Sequence, residues 1–147
     1  MDLGIKGKRA LVTGGTRGIG RATVELLAAE GASVAFCARN QEAVDALAAE
    51  LSGKGATVFA RVVDVSKEDE LKGFIRDAAE AFGGLDILVS NVTGGSLKGP
   101  EQWQQSLELD LLPLVHMIDE GTPILEAAGG GSIVALSSTF GLDRKST

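Results

Sequence analysis

The chain has 147 residues, 44% apolar and 23% charged, with a formal net charge of −6. That length fits one domain around one core, and the composition is that of an ordinary globular protein. The negative balance argues against nucleic acid as a bulk electrostatic partner, the lack of a long apolar run argues against a membrane span, and one cysteine with one histidine leaves no zinc cluster. Cys37 alone cannot form an internal disulfide and suits a reducing, cytoplasmic setting. Met1 to Arg9 is polar and lacks the apolar core of a signal peptide.

Lys8 to Thr13 reads as a buried strand. A glycine-dense turn follows, Thr13-Gly14-Gly15-Thr16-Arg17-Gly18-Ile19-Gly20, then a helix with Ile19, Ala22, Thr23, Leu26 and Leu27 on one face and Gly31 as its C-terminal cap. Ser33 to Ala38 is a second strand. The next helix carries Val44, Leu47, Ala48 and Leu51 and closes at Gly53 and Gly55. Thr57 to Val63 is a third strand. Ser66 and Asp69 have capping-box spacing before a helix with Leu71, Phe74, Ile75, Ala78, Ala79 and Phe82 on one face. Leu85 to Ser90 is a fourth strand, followed by a glycine-rich loop from Thr93 to Pro100. Trp103 to Leu125 reads as a long helix with Leu107, Leu111, Leu114, Val115 and Ile118 on one side and a distortion at Pro113. Ser132 to Ser137 is a fifth strand. Strands alternating with helices predict an α/β, Rossmann-like, doubly wound parallel sheet of about five strands, with residues 1–147 as a single unit.

The glycine turn carries the chemistry. A strand, a tight turn and a helix start leave backbone N–H groups aimed outward at the positive end of a helix dipole, which favours an anion such as phosphate. Gly14, Gly18 and Gly20 allow close approach where a Cβ would obstruct it. Ala38, at the end of the second strand, is neutral where an NAD site would place an acid. Arg39 follows it and Arg17 lies in the turn, so the residues favour NADP(H), with two guanidiniums for a 2′-phosphate. Two solvated surface arginines are the alternative. Asn91 falls at the carboxyl end of the fourth strand, where ligands bind in such sheets; a loop amide bonding local backbone is the competing role.

The segment from Thr13 to Gly20 resembles the cofactor motif of the short-chain dehydrogenase/reductase family. Four further stretches are similar in order: Asp64-Val65, Asp86-Ile87-Leu88-Val89-Ser90-Asn91, Trp103 through Leu112, and Gly131 through Ser138. The resemblance implies an NADP(H)-dependent oxidoreductase that interconverts carbonyls and alcohols by hydride transfer, for example on 3-oxoacyl thioesters or other ketones. It implies cofactor contacts at Gly14, Thr16, Arg17, Gly18, Ile19, Gly20, Arg39, Asp64, Val65 and Asn91, a small-molecule substrate, and a homo-oligomer formed through the fourth helix. It assigns Ser138 the polarisation of the substrate carbonyl; a strand-end hydroxyl capping a turn is the alternative.

The chain departs from the family pattern in three places. Ser90-Asn91-Val92-Thr93-Gly94 stands where N-N-A-G is usual. Asp110 stands where the family has Asn in its catalytic relay; a carboxylate accepts hydrogen bonds but cannot donate as an amide does, and a solvated helix residue is the equal alternative. No tyrosine occurs, so the family's Y-x-x-x-K segment is absent and Lys145 is no substitute for its lysine. A truncated domain that binds nucleotide or a partner without turnover is therefore the second expectation. His116 is expected to be structural or exposed, and no metal site is expected.

Overall fold

A computed structural model of the chain describes residues 2–94 and 99–138. Five strands, β1 (Arg9–Thr13), β2 (Ser33–Ala38), β3 (Val58–Val62), β4 (Ile87–Ser90) and β5 (Ser132–Ala135), form one parallel sheet in the order β3-β2-β1-β4-β5. Helices α1 (Gly18–Ala29), α2 (Gln41–Gly53) and α3 (Glu68–Phe82) connect the first four strands. A longer helical stretch precedes β5: α4 (Pro100–Ser106), a π-helical turn (Leu107–Leu111) and α5 (Leu112–Ala127). The expected doubly wound α/β sheet is the observed one. Among the described residues no helix is long and apolar enough to cross a membrane.

Side-chain alternation along the strands sorts residues into two cores. Val12, Val34, Phe36 and Val89 pack with Val24 of α1 and with Val44, Leu47 and Leu51 of α2. Leu11, Ala35, Cys37 and Leu88 pack with Leu71, Phe74 and Ile75 of α3 and with Met117 and Leu125 of α5. Because both faces are covered, the strands read as continuous apolar runs.

The chain winds outward from β1 through β2 to β3, then returns to β4 on the other side of β1. The amino edge of this β1–β4 seam is closed by Arg9 and Asp86. The Arg9 guanidinium donates from Nε to Oδ2 at 2.9 Å and from Nη2 to Oδ1 at 3.1 Å, and the Arg9 backbone N–H donates to Oδ2 at 2.9 Å. Nη1 donates to the Gly83 carbonyl at 2.8 Å. Asp86 also accepts the Ser132 N–H on its backbone carbonyl, which brings in β5. Hydrogen bonding from Arg9 holds the Asp86 carboxyl below its ordinary range.

Two helices carry many of their larger apolar side chains on the outer face. On α1, Ile19 (65% exposed), Ala22 and Leu26 (54%) meet solvent. The helix buries Gly20 and Val24, with Leu27 and Ala28 beside them. On the long helical stretch, Leu107, Leu111, Val115 and Ile118 are exposed and Leu114 is half-buried; Pro113, Met117, Gly121 and Leu125 face the sheet. In both cases glycine, alanine or proline on the inner face carries too little hydrophobic signal to outweigh larger residues outside. The distortion at Pro113 is present as the preceding π turn, where the Leu112 N–H donates to the Leu107 carbonyl.

The Ser66–Asp69 capping box is not formed. Lys67 is the N-cap of α3, and the Ser66 hydroxyl donates to Asp64 Oδ1 at 2.6 Å. Glu68, Asp69 and Glu70 instead complement the helix dipole from its first turn. β5 ends at Ala135, two residues before the expected Ser137.

The Arg9–Asp86 pair yields a stability prediction. Asp86→Ala should cost about 2 kcal/mol in urea unfolding at neutral pH, since it leaves a partly buried guanidinium unpaired. Folding lowers the Asp86 pKa, so the contribution is complete above its ordinary value of about 4 and is lost as pH falls through the folded value. The gap between wild type and variant should therefore narrow below about pH 4.

Candidate functional site

The carboxyl ends of the strands open into a cleft of about 1660 Å³, larger than the roughly 300–1,000 Å³ of a drug-sized pocket. It spans the point where strand order reverses, the position at which open α/β sheets bind ligands. Gly14, Thr16, Arg17, Gly18 and Ile19 line it from the β1–α1 turn, and Arg39 from the end of β2. Val65 contributes from beyond β3, Asn91 from beyond β4, Asp110 from the π turn, and Ser137 and Ser138 from beyond β5. Ten of the twelve residues expected from sequence thus share one cleft; Gly20 and Asp64 are the two outside its lining.

The N-terminus of α1 opens here. Arg17 is its N-cap and makes no side-chain capping bond, and no acidic residue lies in the first turn. The other early helices differ: Asn40 caps α2 by accepting the Ala43 N–H at 2.9 Å, and α3 has three acids in its first turn. The positive end of α1 is thus left for an anion from outside. Gly18 has φ +56° and open space where a Cβ would stand, so its backbone can be approached closely.

Gly20 serves packing. A Cβ there would lie 2.0 Å from the Gly14 carbonyl oxygen and 2.3 Å from Asn91 Nδ2. That closeness accommodates a lock across the seam. Asn91 donates from Nδ2 to the Gly14 carbonyl at 3.1 Å, and its backbone N–H donates to Thr13 Oγ1 at 3.1 Å. Thr13 Oγ1 donates in turn to the Val89 carbonyl at 3.4 Å. Asn91 therefore bonds backbone 77 residues away rather than its own loop.

Asp110 accepts the Gly94 N–H on Oδ1 at 2.8 Å, tying the loop after β4 to the π turn. Asp64 accepts the hydroxyl and the backbone N–H of Ser66, bonds that hold its carboxyl below the ordinary range. Arg17 and Arg39 are exposed and make no ion pair among the described residues. His116 lies away from the cleft on α5, its buried Nδ1 3.7 Å from Glu68 Oε1 of α3 and without a hydrogen bond. Lys145 falls outside the described residues, as does the 95–98 part of the expected loop.

Sequence reasoning missed Thr13 as the buried bridge of the lock; the available signal was a hydroxyl at the last position of a buried strand, beside the glycine turn. It also missed the apolar wall of Val92, Leu109, Leu111, Leu114 and Leu136, and Cys37 behind it, whose thiol lies in the core, where burial pushes it up to about 12. No group that could hold a metal ion occurs among the described residues.

Comparison with known proteins places this geometry. The family model described as short chain dehydrogenase matches residues 8–146. A tropinone reductase homolog of Arabidopsis thaliana is 42% identical over 145 residues, covering 94% of this chain and 54% of that protein. A 3-oxoacyl-[acyl-carrier-protein] reductase of Staphylococcus aureus is 36% identical over 140 residues, covering 91% of this chain and 57% of its own. The solved structure of a 7α-hydroxysteroid dehydrogenase, complexed with NADH and 7-oxo glycochenodeoxycholic acid, superposes with a TM-score of 0.90 at 30% identity, covering 96% of this chain and 57% of that one. The chain spans about half the length of the curated relatives it matches.

The two glycines should respond differently to a methyl group. Gly20→Ala should cost about 2 kcal/mol or more, because its Cβ meets backbone. Gly18→Ala should cost about 1 kcal/mol, the penalty of a left-handed residue in open space. Urea unfolding of both variants checks the order; equal losses would contradict the packing role.

Proposed function

This chain belongs to the short-chain dehydrogenase family, and we propose that its residues 1–147 form one unit that binds NADP(H) in an oxidoreductase acting on small carbonyl or alcohol substrates. One observation carries the reading: the uncapped, acid-free N-terminus of α1 opens into the cleft of about 1660 Å³, beside a glycine whose missing Cβ leaves room for a ligand. Gly14, Thr16, Gly18 and Ile19 would hold the pyrophosphate side, and Asn91 would keep the Gly14 backbone in place. Gly20 acts behind them by letting α1 close on the turn. Val65 is suited to one face of the adenine, and Asp64 to the adenine amino group from just beyond the lining.

The relative with a bound nucleotide carries NADH. The preference for NADP(H) here rests on this chain's residues: Ala38 ends β2 without a carboxylate, and exposed Arg17 and Arg39 offer planar donors to a 2′-phosphate. When bound, the nicotinamide supplies hydride chemistry. Ser138 would orient a substrate carbonyl as a hydrogen-bond donor, and Asp110 would hold the loop that borders it. With no tyrosine among the 147 residues, proton delivery is assigned to none of them. A soluble, cytoplasmic enzyme fits this reading. So does self-association through the exposed row Trp103, Leu107, Leu111, Val115 and Ile118, where Trp103 is 75% exposed.

Fluorescence titration tests the cofactor preference. Arg39→Ala should weaken NADPH binding about tenfold or more, the loss of a charge-assisted contact, and leave NADH binding nearly unchanged. Equal losses for the two nucleotides would refute it. For the apolar row, Val115→Glu should lower the molar mass measured in solution; an unchanged mass would count against that interface.

A further inference from the structure

We propose that His116 of α5 and Glu68 of α3 form a proton-operated clamp. With a proton added to the imidazole, the pair fastens α5 to α3. Without it, the two helices are held by apolar packing and their other ion pairs. The inference goes beyond the nucleotide-binding reading and does not depend on it.

The junction is built from α3 and α5 alone. Leu71 and Ile75 of α3 share a core with Met117 and Leu125 of α5. His116 precedes Met117, and 17% of its side chain is exposed, so solvent protons can reach it. Its Nδ1 is buried without a hydrogen bond and lies 3.7 Å from Glu68 Oε1. A buried polar atom left without a partner is unfavourable. A neutral imidazole with its proton on the other nitrogen turns a lone pair toward this carboxylate. A protonated imidazole carries an N–H on both nitrogens, so Nδ1 must then donate toward Glu68. Closing the gap by about 1 Å would give the roughly 2.8 Å of a charge-assisted hydrogen bond.

The surrounding charges favour that proton. From α3, Lys72 Nζ donates to the same Glu68 Oε1 at 2.6 Å, and Arg76 Nη1 lies 3.4 Å from Glu120 Oε1 of α5. The bond to Glu68 raises the Lys72 ammonium above its ordinary range, and Asp119 and Glu120 of α5 add to the effect. Three carboxylates thus meet two cations, and a charged imidazole completes the balance. β4 and β5, which also pack against α5, contain no charged residue. The acids of the π turn are engaged elsewhere, Glu108 accepting from Gln104 and Asp110 from Gly94.

The hydrogen bond from Lys72, followed by the charge of His116, holds Glu68 below the ordinary carboxylate range. Glu68 is therefore ionised from about pH 4.5 upward, and the imidazole is the group of the cluster that changes between about pH 5 and 8. The contact requires a charged imidazole opposite an ionised carboxylate. It is present below the ordinary imidazole value of about 6.5 and is lost as pH rises beyond it. Because α5 continues directly from the π turn that borders the cleft, the clamp anchors that border as well.

Urea unfolding of the whole chain at pH 5.5 and pH 8 tests the clamp through a double-mutant cycle of Glu68→Gln, His116→Gln and both together. The coupling between the two positions should be about fivefold in the unfolding equilibrium constant at pH 5.5 and absent at pH 8, the upper range for a half-exposed pair. The Glu68–Lys72 pair is ionised at both pH values, so its loss cancels in the comparison. Should His116→Gln fail to fold, Glu68→Gln alone should raise the unfolding constant about fivefold more at pH 5.5 than at pH 8. Coupling that is equal at both pH values or larger at pH 8, or a Glu68→Gln loss that does not change with pH, would overturn the clamp.

Discussion

Arg9 and Asp86 at one edge, and Thr13, Asn91 and Gly14 at the other, fasten β1 to β4. The remaining features depend on that seam. It is where the winding reverses, so the turn after β1 and the loop after β4 diverge and leave a cleft between them. The ion pair sets the register at the amino edge. The Asn91 amide then holds the Gly14 carbonyl, which fixes the turn over which α1 begins. Without a Cβ at Gly20, α1 comes close enough for its N-terminal amides to open into the cleft.

The same helix start shows how a structural economy produces a binding property. Helices α2 and α3 offset their dipole within the fold, α2 with Asn40 and Glu42 and α3 with three carboxylates. α1 does not, and the guanidinium groups of Arg17 and Arg39 add positive charge on the same side of the cleft. At the far side the walls are apolar and the charge is negative. A long ligand with phosphates at one end and an uncharged ring at the other matches the first region. On the proposed reading, the second region, around Asp110 and Ser138, is where the substrate would meet the cofactor.

Much of this was legible in the residues. Strand order, helix order and the glycine turn stand out because apolar runs, periodic segments and glycines fall in a regular alternation. The inner faces of α1 and α5 were not legible. Gly20 and Gly121 are buried because they are small, and a hydrophobic pattern registers size poorly; at Gly121 a Cβ would strike the Leu88 side chain. The Thr13–Asn91–Gly14 lock joins residues more than seventy positions apart, so only the pairing of β1 with β4 reveals it. Asp110 could be placed near the site by motif, but its bond to Gly94 depends on a π turn that the mere presence of Pro113 did not define.

The central claim is that a dinucleotide lies across this seam with its pyrophosphate on the α1 terminus. A crystal structure of the chain grown with NADPH tests it most directly. The account predicts density for the pyrophosphate beside Gly18 and Ile19, the 2′-phosphate between Arg17 and Arg39, and the nicotinamide toward Asn91 and Ser138. Nucleotide density elsewhere on the molecule, or a nucleotide in the cleft with its 2′-phosphate remote from both arginines, would contradict it.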